Sequence, residues 1–223
     1  MLSIVIPAYQ AEARIGETLA ALDAGAAPAE IIVVDGGSTY STRAVAAMRG
    51  ATVIEAPRGR GVQLAAGARA ASGAWLLFLH ADTVLGLGWR QAVESFIADP
   101  ANRERAAVFR FALDDPSPPA RRIERFAAWR GRALKLPYGD QGLLIARAFY
   151  DALGGFKPIP LMEDVDLVRR IGGRRIDVLD VPAVTSAERY RRGGFVARPL
   201  RNLACLSLYF LGVPPRVLAR LYG

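Results

Sequence analysis

Short apolar runs alternate with amphipathic segments along the first half of the chain. The apolar runs are LSIVI at 2–6, EIIVVD at 30–35, ATVIEA at 51–56 and AWLLFLH at 74–80. Segments with helical spacing lie between them at 11–22, 42–48 and 61–71. Continuous apolar runs are typical of parallel strands that are covered on both faces. The alternation therefore predicts an α/β protein whose central sheet is mostly parallel, with helices on both faces.

Small and polar residues follow each of these four runs. The segments just past the strands are PAY at 7–9, DGGS at 35–38, PRGRG at 57–61 and HAD at 80–82. Ligands of open α/β sheets bind at the carboxyl ends of the strands. We therefore expect the four segments to converge on one crevice.

The second half of the chain predicts further strands and helices. AAVFRFAL at 106–113 is a candidate strand, and DDPSPP at 114–119 is a loop that leads into a basic helix at 120–134. GDQGLLIAR predicts a loop and a strand, and YDALGGF a helix that ends at its two glycines. MEDVDLVRRIGG predicts a helix with an acidic start and a basic end, which complements the helix dipole.

Arginine dominates the charge of the chain. The 223 residues carry a net charge of +8, and Lys135 and Lys157 are the only lysines. The guanidinium fork suits phosphate, so a nucleotide, a lipid head group or nucleic acid is a plausible partner. A high-GC genome would explain the same bias. A nucleic-acid binder is least favoured, because the arginines are scattered and no recognition motif accompanies them.

The remaining composition favours a folded cytosolic protein. With 52% hydrophobic residues the chain can bury a full core. Cys205 is the only cysteine and cannot form an intramolecular disulfide, and MLSIVIP lacks the features of a signal peptide. The longest apolar run, at 203–213, is roughly half of the ~20 residues that span a bilayer. We therefore expect a cytoplasmic location.

Two glycine-containing turns are candidates for nucleotide binding. In VVDGGST, Asp35 could accept hydrogen bonds from a base or ribose, or it could simply cap the turn. Backbone amides at a helix start, with Arg58 or Arg60, would form a diphosphate cradle. The alternative for that second loop is a solvated connection into a helix whose small residues pack closely on the sheet. Neither turn is a G-x-G-x-x-G fingerprint, which disfavours a dinucleotide enzyme.

Several acidic positions are candidates for metal binding or catalysis. His80 and Asp82 would lie on the same side if their strand continued that far, and an oxygen-rich set around Asp82 suits Mg²⁺ or Mn²⁺. A lone histidine is nevertheless more often structural. Glu163 and Asp164 open a predicted helix, where they could cap it or supply a general base. The Asp140-Gln141 pair could bind hydroxyl groups or serve a turn.

The motifs taken together resemble the family 2 glycosyltransferases of GT-A fold, the nucleotide-diphospho-sugar transferases. SIVIPAYQAE, VVDGGST, the Arg-Gly loop, LFLHADT, GDQGLLIAR, LGGF and MEDVDLVRR occur in the family's order and spacing over about residues 1–185. GDQ and HAD are also similar to a small bacterial subgroup associated with arsenosugar biosynthesis.

The resemblance implies an inverting transfer from a nucleotide-diphosphate sugar to a hydroxyl acceptor, aided by Mn²⁺ or Mg²⁺. Asp164 would be the general base with Glu163 beside it, and Asp82 would bind the metal, with His80 as a weaker candidate. Asp140 and Gln141 would contact the acceptor. The residues expected to contact the nucleotide and its diphosphate are Pro7, Ala8, Tyr9, Glu12, Asp35, Gly36, Arg60 and Ala81.

The chain departs from the family pattern at two positions. Tyr40 stands where a second acid usually follows the DGGST segment, and His80 replaces the first acid of the D-x-D motif. We expect low metal affinity as a result. These departures keep open a sugar-nucleotide-binding protein without turnover. A nucleotidyltransferase of related fold is a further alternative, although IPAYQAE lacks the expected phosphate-gripping lysine or glycines.

We expect a single domain over 1–223. Residues 1–113 would form the nucleotide-sugar-binding half, 114–190 the acceptor-binding half and 191–223 an amphipathic helical tail. Arginines flank the apolar part of the tail, a pattern typical of an interfacial anchor, a homodimer contact or a terminal helix packed on the domain. An interfacial anchor would bring the protein to the inner face of the membrane.

Overall fold

A computed structural model describes residues 1–23 and 29–222, without the side chain of Tyr40. The expectation that Tyr40 replaces an acid of the family pattern therefore lies outside the described residues. The strands are β1 (Leu2–Ala8), β2 (Glu30–Asp35), β3 (Thr52–Glu55), β4 (Trp75–Phe78), β5 (Thr83–Leu85), β6 (Ala106–Leu113), β7 (Leu143–Ala146) and β8 (Ile176–Thr185). The helices are α1 (Ile15–Asp23), α2 (Tyr40–Met48), α3 (Arg60–Ala70), α4 (Trp89–Ala98), α5 (Pro118–Ala133), α6 (Arg147–Ala152), α7 (Glu163–Ile171), α8 (Glu188–Gly193), α9 (Ala197–Phe210) and α10 (Pro215–Tyr222).

The eight strands form one sheet in the order β3-β2-β1-β4-β7-β6-β8-β5. The first four strands pair in parallel, as their continuous apolar runs predict. Strand β7 is antiparallel to both β4 and β6, whereas β8 is parallel to β6 and antiparallel to β5. The carboxyl ends of β1, β2 and β4 therefore lie along one edge of the sheet, where sequence analysis expects the ligand.

Helix α3 packs tightly against the first two strands. A Cβ at Gly67 would lie 2.3 Å from Val5 Cγ1 and 2.8 Å from Val34 Cγ2, so only glycine allows this approach. The buried Gln63 amide nitrogen donates to the carbonyls of Ala8 and Val34, both over 2.8 Å. The small residues of α3 thus pack on the sheet, and its polar residue fixes the ends of β1 and β2.

Some element boundaries differ from the sequence-based predictions. Strand β4 ends at Phe78, and the His80 carbonyl accepts a hydrogen bond from the Thr83 amide over 3.3 Å, so the chain turns there. The condition for His80 and Asp82 to share one side of a strand is therefore not met. Helix α1 begins at Ile15 rather than at residue 11. Elements β5, α4 and β8 have no counterpart among the predicted elements.

Three helices, rather than one, form the tail. Cys205 and Leu206 of α9 and Leu218 of α10 are buried in a cluster with Met162 and Val165 at the start of α7. The inner face of the tail is therefore packed on the body of the protein. No helix among residues 1–23 and 29–222 is both long and apolar enough to cross a membrane.

Candidate active site

The loops that follow β1 and β2 lie side by side at the edge of the sheet. Ala8 is in register with Asp35, and the Gly36 amide donates to the Ala8 carbonyl over 2.9 Å. The Gln10 amide donates to Ser38 Oγ over 2.8 Å. These contacts bring together most of the expected nucleotide-binding residues, namely Pro7, Ala8, Tyr9, Asp35 and Gly36.

Asp35 is fully buried beneath these loops. Its Oδ2 accepts hydrogen bonds from the amides of Gly37 (3.1 Å) and Ser38 (2.9 Å), which fixes the glycine-rich turn. Its Oδ1 is buried and has no hydrogen-bond partner among the described residues. A buried carboxylate oxygen without a partner is costly, and an N–H group of a ligand would satisfy it.

Tyr9 and Glu12 are exposed at the mouth of this region. The guanidinium carbon of Arg58 lies 4.0 Å from the centroid of the Tyr9 ring, within cation–π range. A backbone hydrogen bond and one from Thr42 Oγ1 hold the pKa of Glu12 below its ordinary value. Ala81 is buried, and its carbonyl accepts a hydrogen bond from Thr18 Oγ1 over 3.0 Å.

A cleft adjoins this region, between the segment that follows β4 and the start of α7. Its lining includes five residues that the sequence singles out: Arg60, His80, Asp82, Asp140 and Asp164. Glu163 and Gln141 do not line this cleft. The structure therefore groups the metal candidate, the base candidate and one acceptor candidate around the same space.

Asp164 is anchored at the first turn of α7. Its Oδ2 accepts a hydrogen bond from the Gly139 amide, and its Oδ1 accepts one from the Val165 amide, both over 2.8 Å. A Cβ on Gly139 would lie 3.1 Å from His80 Nε2 and 3.3 Å from Asp164 Oδ2. Gly139 thus allows the histidine and the carboxylate to approach each other across the cleft wall.

The residue before α7 has an unusual backbone conformation. Met162 has φ 66° and ψ 22°, the left-handed region that long side chains rarely adopt. Its side chain is buried against α9 and α10, and this packing holds the conformation in place. Backbone strain of this kind recurs at functional sites.

Glu163 is 1% exposed and pairs with Arg60 instead of facing the cleft. The Arg60 Nε atom lies 2.7 Å from Glu163 Oε1, and Glu163 Oε2 has no partner among the described residues. Burial raises the pKa of Glu163 against the opposing charge of Arg60. Burial by itself lowers the pKa of Arg60, but the charges of Glu163 and Asp164, with smaller effects of Tyr222 and Asp140, together outweigh it and the net shift is upward.

His80 is a neutral imidazole at pH 7. Burial, followed by the charges of Arg60 and Arg189, lowers the pKa of His80 to about 3. The guanidinium groups of Arg60 and Arg189 therefore lie close to His80, the residue that replaces the first acid of the D-x-D motif.

Asp140 and Gln141, neighbours in sequence, face different surroundings. The Gln141 side chain is buried, where its Nε2 donates to the Phe109 carbonyl over 3.0 Å. Asp140 lines the cleft, and its Oδ1 is buried without a partner among the described residues. Burial raises the pKa of Asp140 to about 6, and the charge of Asp164 adds to this effect.

One wall of the cleft is formed by the C-terminal helices and was not predicted from the sequence. Residues of α8, α9 and α10 close the cleft, namely Arg189, Tyr190, Arg198, Asn202 and Tyr222. Arg198 donates to the Tyr222 hydroxyl over 3.2 Å, and Asn202 Oδ1 is buried without a partner among the described residues. The basic ERYRR segment at 188–192 lies across the boundary between the predicted acceptor-binding half and the predicted tail, and none of its residues is among the predicted site residues.

Few protein ligands for a divalent cation are available near Asp82. Within the described residues, no three His, Cys, Asp or Glu side chains are grouped so that they could hold a metal ion. The neutral imidazole of His80 and the carboxylate of Asp82 line one cleft, but Arg60 and Arg189 beside His80 oppose a further cation. This ligand set fits a weakly held ion that takes most of its ligands from substrate oxygens and water.

Comparison with solved structures shows a GT-A glycosyltransferase fold. TarS 1–349 of S. aureus in complex with UDP-GlcNAc matches with a TM-score of 0.65 at 15% identity, covering 99% of this chain and 70% of that chain. Glucosyl-3-phosphoglycerate synthase of Mycobacterium tuberculosis with Mn²⁺, UDP and glucosyl-3-phosphoglycerate matches at 0.61 and 20%, covering 83% and 70%. The Pyrobaculum calidifontis mannosyltransferase with GDP-Man and Mn²⁺ matches at 0.65 and 19%, covering 92% and 60%.

The chain belongs to glycosyl transferase family 2, because the family's sequence pattern matches residues 3–136, more than half of the 223 residues. It is therefore a glycosyltransferase, as the motifs of the first half predict. No curated protein matches the chain. The family match ends before Asp140 and Asp164, so these two residues of the acceptor side lie outside the matched part of the chain.

Proposed function

We propose that this glycosyltransferase moves a sugar from a nucleotide-diphosphate sugar to a hydroxyl acceptor with inversion at the anomeric carbon. The observation that carries the proposal is that Asp82 and Asp164 line one cleft beside the loops after β1 and β2. A single displacement needs a base on the acceptor side and positive charge at the leaving diphosphate. The cleft offers a carboxylate for the first and a cationic wall for the second.

On the donor side, the nucleotide would occupy the loops after β1 and β2. The unpartnered Asp35 Oδ1 would accept an N–H of the base, and the exposed Tyr9 ring would cover the nucleoside. The diphosphate would then extend past Arg60 toward Asp82. In the solved relatives, UDP-GlcNAc and GDP-Man are the donors named.

On the acceptor side, Asp164 would accept the proton of the attacking hydroxyl. The acceptor oxygen forms a bond to the anomeric carbon as the bond to the diphosphate oxygen breaks, and the electron pair of that bond leaves with the diphosphate. Each Asp164 oxygen already accepts one amide hydrogen bond and has a further lone pair for the hydroxyl. Asp140 would orient the acceptor, whereas Glu163 would position Arg60.

Asp82 is the residue that would hold a divalent cation, with His80 as a second ligand. Mn²⁺ or Mg²⁺ bound there would neutralise charge on the leaving diphosphate. Nucleotide and metal appear together in the solved structures of the synthase and the mannosyltransferase.

A thermal-shift screen of UDP, GDP, ADP, CDP and dTDP, with their sugars and with or without Mn²⁺, tests the donor proposal. We expect one nucleotide to raise the Tm and its sugar conjugate to be consumed in the presence of an acceptor mixture. Loss of the sugar from the matching donor, with release of the nucleoside diphosphate, would establish turnover. A protein that binds no nucleotide diphosphate under any of these conditions contradicts the proposal.

The resemblance of GDQ and HAD to the arsenosugar subgroup suggests a finer assignment. We propose that the protein belongs to this subgroup, and those two motifs support the proposal. Transfer to an arsenic-containing acceptor, tested with the donor found above, would support this assignment.

The outer face of the tail supports a proposal on location. Leu211 and Leu221 are 80% and 57% exposed, and Arg216 and Arg220 lie on the same helical segment as Leu221. We propose that this face of a single 1–223 domain touches an anionic membrane surface from the cytoplasmic side. Co-sedimentation with vesicles containing phosphatidylglycerol, but not with phosphatidylcholine alone, is the expected result. Sedimentation as a dimer without vesicle binding would favour the homodimer contact instead.

A further inference from the structure

We infer that Arg189 and Arg60 form a guanidinium cradle for the leaving diphosphate, so that donor binding does not require a divalent cation. The inference rests on the proposed function and deepens it, because it assigns residues to the leaving group. Arg189 belongs to α8, outside the part of the chain that the family pattern covers.

Arg189 forms no ion pair with any carboxylate of the described residues. Its neighbours on α8 are neutralised: Arg191 pairs with Asp114 and Asp115, and Arg192 pairs with Glu188. Among the described residues, Arg189 has no ion pair, is exposed and lines the cleft beside His80 and Asp82. An exposed arginine in a concave site attracts an anion and can bind its oxygens in a bidentate way.

Arg60 faces the same space from the opposite element. Its Nε is held by Glu163, while the side chain is 39% exposed and lines the cleft. A guanidinium with Nε engaged still has four N–H groups on its two terminal nitrogens. The buried Glu163 thus orients Arg60 without using up its capacity to donate hydrogen bonds to phosphate oxygens.

Few protein side chains in this part of the cleft could bind a metal ion. His80 stands where the family has an acid, and within the described residues no group of three metal-binding side chains occurs. Arg189 supplies a positive charge that no described carboxylate pairs with, and Arg60, although paired with Glu163, adds N–H donors for phosphate oxygens. Both groups come from the protein itself and need no metal ligands.

Inorganic pyrophosphate is a probe that isolates the cradle, because it binds without a base or a sugar. Its affinity and that of the matching nucleoside diphosphate would be measured by calorimetry in EDTA and in Mn²⁺. We expect both ligands to bind in EDTA, with Mn²⁺ improving the affinity by less than about tenfold. Arg189→Gln should lower the affinity for both ligands in EDTA by about tenfold or more. Arg189→Lys should lower it by less, since lysine keeps the charge but lacks the guanidinium fork.

Arg192→Gln is the matched control, because Arg192 lies on the same helix, is 80% exposed and does not line the cleft. It should leave the affinity of both ligands in EDTA unchanged. The inference is overturned if the wild-type protein binds neither ligand in EDTA, or if Arg189→Gln and Arg192→Gln bind the ligands with equal affinity. Either result leaves the proposed function intact. If no nucleoside diphosphate binds and pyrophosphate does not bind either, with or without Mn²⁺, both the inference and the proposed function are overturned.

Discussion

The Nε atom of Arg60 lies 2.7 Å from Oε1 of Glu163, and this ion pair joins the first residue of α3 to the first residue of α7. Helix α3 packs on the strands of the nucleotide side, and α7 supplies Asp164. A Cβ on Gly61 would lie 2.3 Å from the Lys157 carbonyl, so α3 is also in close backbone contact with the loop that precedes α7. The ion pair thus sets the distance between the donor side and the acceptor side of the cleft.

Removal of one partner of this pair should destabilise the protein. Glu163→Gln leaves Arg60 half-buried without its counter-charge, so we expect a loss of about 1–3 kcal/mol in the free energy of unfolding. Urea unfolding of both single variants and of the double variant with Arg60→Gln should give a coupling energy of about 1 kcal/mol or more. The exposed Arg192–Glu188 pair is the control and should couple by less than about 0.5 kcal/mol. Equal coupling in the two pairs would contradict the organising role of Arg60–Glu163.

Asp164→Asn should abolish transfer while nucleotide binding survives. An amide cannot accept the acceptor proton, and general-base removal lowers rates by about 10²–10⁴-fold. The kcat is measured with the matching donor and acceptor, and nucleotide affinity is measured by thermal shift. Asp166→Asn is the control on the same helix, because Asp166 pairs with Lys157 and Arg170 and does not line the cleft. Activity that persists in Asp164→Asn would show that another group is the base.

Asp82→Ala should remove the effect of Mn²⁺ on nucleotide affinity. Asp82 is the one carboxylate proposed to bind the cation, and His80 alone would hold it too weakly. The measurement is the affinity of the matching nucleoside diphosphate in EDTA and in Mn²⁺. The affinity in EDTA should be unchanged or higher, because a negative charge near the diphosphate is lost. An unchanged response to Mn²⁺ would exclude Asp82 from the metal site.

The nucleotide side was predictable because its signals are local. Continuous apolar runs define the four parallel strands, and the polar residues that follow them are adjacent in sequence to the strands that place them. Asp35 and Arg60 were predicted as nucleotide-binding residues for this reason. The convergence of their loops follows directly from parallel pairing, which no later part of the chain alters.

The acceptor side was only partly predictable because it depends on distant packing. Tyr222 and Arg198 reach the cleft only because Leu218, Cys205 and Leu206 pack on the start of α7. No spacing in the sequence encodes that contact. Glu163 and Gln141 sit within recognisable motifs, yet burial turns their side chains toward Arg60 and Phe109. Strand β8 is interrupted by Asp177, Asp180 and Pro182, so it lacks the continuous apolar run of the first four strands.

Gly139→Ala should lower turnover more than nucleotide affinity. The added Cβ would lie 3.1 Å from His80 Nε2 and 3.3 Å from Asp164 Oδ2, so the carboxylate must move by a few tenths of an ångström. We expect kcat to fall by about tenfold or more, since small displacements of a reacting group are costly. Gly131→Ala is the control, because a Cβ there meets nothing within 4 Å inside α5. It should preserve activity and raise stability by about 0.5–1 kcal/mol. Equal turnover in the two variants would contradict the proposed placement of Asp164.

Asp140→Asn should stabilise the protein at neutral pH but not at acidic pH. Burial raises the pKa of Asp140 to about 6 from an ordinary value of 3.8, so the folded state binds the proton more tightly than the unfolded state. The stability contributed by this group is therefore present below about pH 4 and is lost as the pH rises through 6.

The asparagine variant has no proton to lose, so its Tm in EDTA should exceed that of the wild type above pH 6. The excess should reach about 6–12 °C, because a rise in the pKa from 3.8 to about 6 corresponds to about 3 kcal/mol and 1 kcal/mol shifts the Tm of a domain of this size by about 2–4 °C. It should shrink toward zero as the pH falls from 6 to 4. Carboxylates distant from the cleft titrate alike in both proteins and cancel in the difference. A Tm difference that does not change between pH 4 and pH 8 would show that Asp140 has an ordinary pKa and is not confined among the acids of the cleft.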